Sequence, residues 1–101
     1  MIDFENLGYK DITKNAPISF SECFGETFGT LFPYEKRYYL KEGDIVIVLK
    51  VGTCYNKYDI SGICYHPKGW ERFGIHSPFH EYAKEHFEKT IKAVKYKISN
   101  L

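Results

Sequence analysis

One segment of the chain, Cys64–His80, gathers the residue types that carry most protein chemistry. It holds three of the four histidines and the only tryptophan, and it places Arg72 beside Glu71. Thiol, imidazole, carboxylate, guanidinium and indole groups serve metal binding, nucleophilic catalysis, proton transfer or recognition of a partner. These four chemistries compete as interpretations of the segment.

A metal site would draw its ligands from Cys54, Cys64, His66, His76 and His80. The Cys64-x-His66 spacing does not match the ligand spacing of structural zinc sites. His76 and His80 are four residues apart but lie on either side of a predicted helix start, so helical spacing does not bring them together. We therefore expect no metal and no other cofactor.

Two catalytic interpretations use the same residues. Cys64 and His66 are two residues apart on a predicted strand, so their side chains share a face, and an imidazolium there would activate a thiolate. No third residue is visible to orient the histidine, and a buried Cys64 that packs as a small hydrophobic residue is the simpler interpretation. The other interpretation is a metal-independent nuclease that moves protons and holds a phosphate with Tyr65, His66, Glu71, Arg72 and His76. Because these residue types occur on many surfaces, we predict a non-catalytic protein and keep the nuclease as an alternative.

Recognition of a partner is the interpretation that we favour. Aromatic rings stack on bases or fill pockets, and lysine and arginine bind phosphates or carboxylates. The predicted binding residues, on an exposed loop over 53–59 and in the segment 66–76, are Tyr55, Lys57, Tyr58, His66, Lys68, Trp70, Arg72 and His76. We expect a protein partner, a host macromolecule that the chain occludes. The alternatives are a nucleotide or another phosphorylated small ligand, and a nucleic acid.

The segment that must position these residues is Gly43–Val51, which predicts a buried strand. Five consecutive apolar residues, four of them β-branched, run from Ile45 to Leu49 without alternation, so both faces of this strand should be covered. Strands are also predicted over 37–40, 60–65 and 70–75, with Gly62 marking a bulge or a close backbone approach. His66-Pro67-Lys68-Gly69 predicts a turn with Pro67 second and Gly69 fourth. A domain of this size rarely leaves its only tryptophan outside, so we expect at least one of Trp70 and Phe73 in the core.

The predicted fold is α+β, an antiparallel sheet of three to five strands with a helix on either side in sequence. The stretch Lys41–Val46, read as Lys-x-Gly-Asp-x-Val, resembles the opening of a strand in many SH3-like barrels, so the sheet is expected to be SH3-like or otherwise barrel-like. Ser77, Pro78 and an apolar face predict a carboxyl-terminal amphipathic helix over 78–95, although alternation over 94–98 would also suit an edge strand.

Phenylalanines at intervals of four predict a short amino-terminal helix over 19–30. Ser19 followed by Glu22 matches a capping box, and the two internal glycines oppose the helix. The stripe serves either core packing, which we favour, or a homodimer contact through Phe20, Phe24 and Phe28.

The composition of the chain limits the classes of protein to which it could belong. The 101 residues, 44% hydrophobic, predict one domain over 1–101, with residues 1–17 as a loosely attached arm. A net charge of +1 excludes a strongly basic, tail-like nucleic-acid binder. Three cysteines without Cys-x-x-Cys pairing, no apolar run of about 20 residues and no signal-peptide pattern predict a cytoplasmic protein. Richness in Lys, Ile, Tyr, Phe and Asn is typical of AT-rich genomes, so we expect a phage or mobile-element accessory protein.

Overall fold

A computed structural model describes residues 2–13, 35–54, 57–77 and 80–101 of the chain. Within these residues five strands and one helix are present. In chain order they are β1 (Lys10–Asp11), β2 (Glu35–Glu42), β3 (Ile45–Cys54), β4 (Lys57–His66), β5 (Gly69–Ser77) and the helix α1 (His80–Ser99). The predicted helix over 19–30, with the homodimer contact through Phe20, Phe24 and Phe28, lies outside the described residues.

The five strands form one antiparallel sheet in the order β1-β2-β3-β4-β5, so each strand pairs with its neighbour in sequence. The α+β class and the antiparallel sheet are confirmed, while the SH3-like arrangement stays a prediction. Strand β3 is central, with Ile47 opposite Leu40 of β2 and opposite Cys64 of β4. This register decides which side chains share a face.

The inner face of the sheet, which packs against α1, carries the larger part of the core. Apolar residues from every strand except the short β1 join Ala83 and Phe87 of the helix in one buried cluster. The outer face, which is the face opposite α1, has a smaller cluster of Ile12, Val48 and Ile63. Because Ile47 and Leu49 lie in the inner cluster and Val48 in the outer one, the prediction that β3 is covered on both faces is confirmed.

The predicted exposed loop over 53–59 is wrong. Strand β3 continues to Cys54 and β4 begins at Lys57, with Thr53 paired to Tyr58. Tyr58 is 2% exposed, and its hydroxyl accepts a hydrogen bond of 2.9 Å from the backbone N–H of Ile2. The segment contains polar residues because alternate strand positions face outward. Tyr58 is a core residue whose hydroxyl has a hydrogen-bond partner.

Glycines permit two local features of the sheet, a close contact at Gly62 and a turn at Gly69. The register runs through Gly62 without interruption, so the predicted bulge is absent, and the close contact at Gly62 is made by a side chain and not by another backbone. The ring of Phe73 covers Gly62 so closely that an added Cβ would lie 2.2 Å from Phe73 Cζ. The predicted turn between β4 and β5 is confirmed, with His66 paired to Gly69, whose φ of 142° suits glycine.

The described part of the expected loose arm, residues 2–13, is packed into the core. Ile2, Phe4 and Tyr9 are buried, and the ring of Phe4 stacks on Tyr38 at a centroid distance of 4.7 Å. The same Phe4 ring meets Phe87 of α1 edge-on at 5.2 Å. These apolar side chains fix the segment between sheet and helix, so its attachment is not loose.

The carboxyl-terminal helix is confirmed and extends to Ser99. Val94 and Ile98, four residues apart, pack against the core, whereas Tyr96 is 74% exposed, so the alternation over 94–98 belongs to a helix and not to a strand. Lys95 and Lys97 contact Glu42 and Glu71 of the sheet at 2.6 and 3.0 Å. Pro78 and the predicted start at 78 fall outside the described residues. In the part of the chain that is described, no helix has the length and apolar character needed to span a bilayer.

Candidate functional site

The outer face of β5 presents three of the predicted binding residues in a row. Strand side chains alternate between faces, so Trp70, Arg72 and His76 share the face opposite the helix. Trp70 is 57% exposed although it is the only tryptophan of the chain. The guanidinium carbon of Arg72 lies 5.5 Å from the centre of the Trp70 ring, a cation–π contact. An exposed ring and a cation are thereby held next to each other on a strand.

A groove of about 390 Å³ lies beside this pair. The register places Lys50 of β3, Ser61 of β4 and Gly74 of β5 side by side, and Arg72 borders the same groove. Gly74 has no side chain between Arg72 and His76, which leaves the groove open at β5. Its polar lining therefore consists of donors, the lysine, the hydroxyl and the guanidinium.

Each carboxylate described on the outer face has a nitrogen-bearing side chain beside it. The side chain of Lys50 lies 3.7 Å from that of Glu35, and Nδ1 of His76 lies 3.0 Å from Oδ1 of Asp59. The ring of His76 is largely exposed, and Nδ1 is the nitrogen that meets Asp59.

The outer face is basic. Among the side chains that the structure describes, the register assigns five cations to it and two carboxylates. The cations are Lys10, Arg37, Lys41, Lys50 and Arg72, and the carboxylates are Glu35 and Asp59. Such an excess attracts an anionic partner, and dissolved salt weakens the attraction.

Not every predicted binding residue joins this surface. Tyr58 is wrong as a surface residue because it is buried on the inner face. Alternation directs His66 to the side of the inner face, where its Nδ1 accepts a hydrogen bond of 3.2 Å from the backbone N–H of Lys68. The ammonium of Lys68 donates to the carbonyl oxygen of Leu101 at the end of the chain. Tyr55 lies outside the described residues, and Lys57 is the first residue of β4.

Of Trp70 and Phe73, the first is exposed and the second is 9% exposed in the inner core, as expected of at least one of them. Because the two residues are three apart on one strand, alternation separates them onto opposite faces. The ring of Phe73 therefore packs in the inner core, while Trp70 lies exposed on the outer face.

The structure separates residues that the nuclease interpretation would use together. His66 and His76 lie on opposite faces of the sheet, and so do Glu71 and Arg72. Cys64 is fully buried, and burial raises the pKa of its thiol, which disfavours the thiolate that a nucleophile needs. Among the described residues, no group of three or more His, Cys, Asp or Glu side chains is placed to hold a metal ion.

Residue-type reasoning missed four members of the site, Lys50, Asp59, Ser61 and Gly74. The period of two that places Trp70 with Arg72 also places Gly74 on the outer face, so Gly74 could have been predicted from the sequence. Lys50 and Ser61 join it only through the pairing of β3 with β4 and of β4 with β5. That pairing is long-range information that no single segment contains.

In comparisons with protein-family models, with curated proteins and with solved structures, nothing matches this chain.

Proposed function

We propose that this protein is a non-catalytic binding protein that captures an anionic macromolecule on the outer face of its sheet. The observation that carries the proposal is the exposed Trp70 ring with Arg72 held against it on a basic surface. Tryptophan and arginine are the residues on which binding energy concentrates most often. The separation of the two histidines onto opposite faces supports binding over catalysis.

The arrangement of the pair favours tight capture. A strand backbone fixes both residues, and the cation–π contact restricts the long arginine side chain before any partner arrives. Binding therefore orders fewer rotatable bonds, and less of the contact energy is lost to entropy. Truncation of one such anchor weakens binding by about 2 kcal/mol or more, which is roughly thirtyfold in the dissociation constant.

The test is a comparison of two double variants that each lose one aromatic ring and one cation. The face variant carries Trp70→Ala and Arg72→Ala. The matched control carries Tyr96→Ala and Lys89→Ala on exposed positions of α1, away from the outer face. Both variants should melt within a few degrees of the parent protein, because all four side chains are exposed.

The readout is capture of macromolecules from a cell extract by the immobilised proteins. The parent and the control variant should retain the same partner, and the face variant should not. Equal capture by both variants would contradict the proposal, because the partner would then bind elsewhere on the surface.

A nucleotide or another phosphorylated small ligand is the second candidate, and the groove is the observation that favours it. Lys50, Ser61 and Arg72 offer donors for a phosphate beside an exposed ring that suits a base. A ligand at one hundred times its dissociation constant stabilises the fold by about 2.7 kcal/mol. Melting temperatures measured against rising nucleotide concentration should then increase without a plateau, and a flat response would remove this candidate.

A further inference from the structure

The groove, the exposed ring and the spacing of the strand point to one class of anionic macromolecule. We propose that the outer face binds a single-stranded nucleic acid, with one base stacked on Trp70 and the adjoining phosphates held at Arg72 and in the groove beside it. This inference rests on the proposed function, since it names the partner of the same surface.

The spacing of the outward positions on β5 is the first argument. Trp70, Arg72, Gly74 and His76 follow one another at two-residue intervals, a step of about 6.8 Å on an antiparallel strand. A stretched single strand advances by a similar length for each nucleotide. A chain of nucleotides that lies along β5 can therefore present a base to Trp70 and a phosphate to Arg72 without changing register.

The exposure of Trp70 favours a single strand over a duplex. An indole face gains stacking energy from a base whose own face is uncovered, and the bases of a duplex are already stacked on each other. The outer surface of a five-stranded sheet is broad, whereas a duplex groove admits a helix or a two-stranded ribbon. Base stacking on a protein ring is tolerant of sequence, so we expect little sequence preference.

The polar groups of the groove favour phosphate. Arginine, lysine and serine all donate hydrogen bonds, and Arg72 can meet two phosphate oxygens at once through its fork of N–H groups. Of the two carboxylates described on this face, Glu35 lies 3.7 Å from Lys50, which reduces its repulsion of a phosphate chain, and Asp59 lies 3.0 Å from the imidazole of His76. The basic face therefore accepts a polyanion along β5.

Trp70 is itself the reporter for the test, because it is the only tryptophan of the chain. Unlabelled ten-nucleotide single strands of mixed sequence, one of DNA and one of RNA, are titrated into the parent protein while tryptophan emission is recorded. Both should quench the emission in a saturable manner, and the ratio of their affinities shows which sugar is preferred. The matching DNA duplex and poly-glutamate are the comparison ligands, and each should bind at least tenfold more weakly.

Fluorescence anisotropy of labelled single strands extends the test to variants. Trp70→Ala should weaken binding roughly tenfold to a hundredfold through lost stacking, with Trp70→Phe in between. Arg72→Ala should weaken binding and reduce the slope of log affinity against log salt by about 0.7, because one phosphate contact is lost. The variant Tyr96→Ala should bind as the parent does.

Three results would overturn the inference, and they differ in what else they overturn. Absence of quenching and of anisotropy change with both single strands refutes the nucleic-acid partner. Binding of poly-glutamate alone, lost in Trp70→Ala, refutes the nucleic acid but leaves the proposed function intact and indicates an acidic protein as the partner. Binding of single strands that is unchanged by Trp70→Ala and Arg72→Ala refutes the outer face itself, and with it the proposed function.

Discussion

Substitution of Gly62 by alanine tests the packing that supports the outer face. The new Cβ would lie 2.2, 2.4 and 2.8 Å from Cζ, Cε2 and Cε1 of Phe73, so the ring must move. Phe73 is 9% exposed and belongs to the inner core, where overpacking lowers the free energy of unfolding by about 1–3 kcal/mol. Alanine also has less conformational freedom than glycine in the unfolded chain, and this offsets about 0.4–1 kcal/mol of the loss. The midpoint of these ranges is a net loss of roughly 1.3 kcal/mol, with an upper limit of about 2.6 kcal/mol, and we expect a melting temperature lower by about 5–10 °C.

Thermal and urea unfolding followed by circular dichroism measure this loss, with Gly74→Ala as the control. A Cβ at Gly74 meets nothing nearer than the carbonyl oxygen of Ile60 at 3.8 Å, so the control should stay within about 0.5 kcal/mol of the parent. Replacing Phe73 by leucine should remove part of the conflict, so the two substitutions together should destabilise by at least about 0.5 kcal/mol less than their sum. Equal stability of Gly62→Ala and Gly74→Ala, or strict additivity in the double variant, would refute the close packing of Phe73 on Gly62.

Three further expectations follow from buried groups. Tyr58→Phe removes the acceptor of the Ile2 N–H and should lower the free energy of unfolding by about 1–3 kcal/mol, as urea unfolding will show; an unchanged midpoint would contradict the buried hydrogen bond between Tyr58 and Ile2. Burial raises the pKa of Tyr9 above its ordinary value of 10.0, so the unfolded chain releases its proton first, and stability should fall as the pH rises above about 10. Tyr9→Phe should make this fall shallower in urea unfolding at pH 9 to 11, and an identical pH dependence would contradict the burial. Cys64 should resist alkylation in the native protein and react in denaturant, as mapped by peptide mass spectrometry; rapid native labelling would show that its thiol is accessible.

Local sequence patterns correctly predicted strand β3, the last helix and the turn between β4 and β5. The run from Ile45 to Leu49 suits only a strand covered on both faces, and the apolar face of the last helix repeats every three to four residues. The turn at 66–69 was predictable because proline fixes φ at its second position and glycine tolerates the positive φ at its fourth. Each of these predictions needs only the residues of its own segment and not the residues that pack against it.

The wrong predictions concern residues whose surroundings are set by distant parts of the chain. A tyrosine among polar neighbours is typical of a loop, whereas the burial of Tyr58 depends on its inner-face position in the sheet and on its contact with Ile2, 56 residues away. The attachment of residues 2–13 likewise depends on Phe4 meeting Tyr38 and Phe87. The residues that bury Tyr58 and the segment 2–13 lie far away in the sequence, so neither segment gives a local sign of these contacts.

The candidate site was predictable in part. Trp70, Arg72 and His76 were selected by residue type, and their common face follows from the period of a strand. His66 was included because an imidazole suits binding and proton transfer. It lies two residues after the inner-facing Cys64 on the same strand, so its side chain is on the inner face as well. Lys50 and Ser61 required the register of three strands.

The most direct test of the outer face is the ratio of two dissociation constants for one captured partner, measured by fluorescence anisotropy at fixed salt. The face variant, Trp70→Ala with Arg72→Ala, should bind at least about thirtyfold more weakly than the control variant, Tyr96→Ala with Lys89→Ala. Both variants lose one ring and one cation, so net charge cannot explain the difference. A ratio near one, with both variants folded, would contradict the claim that this protein binds through the outer face of its sheet.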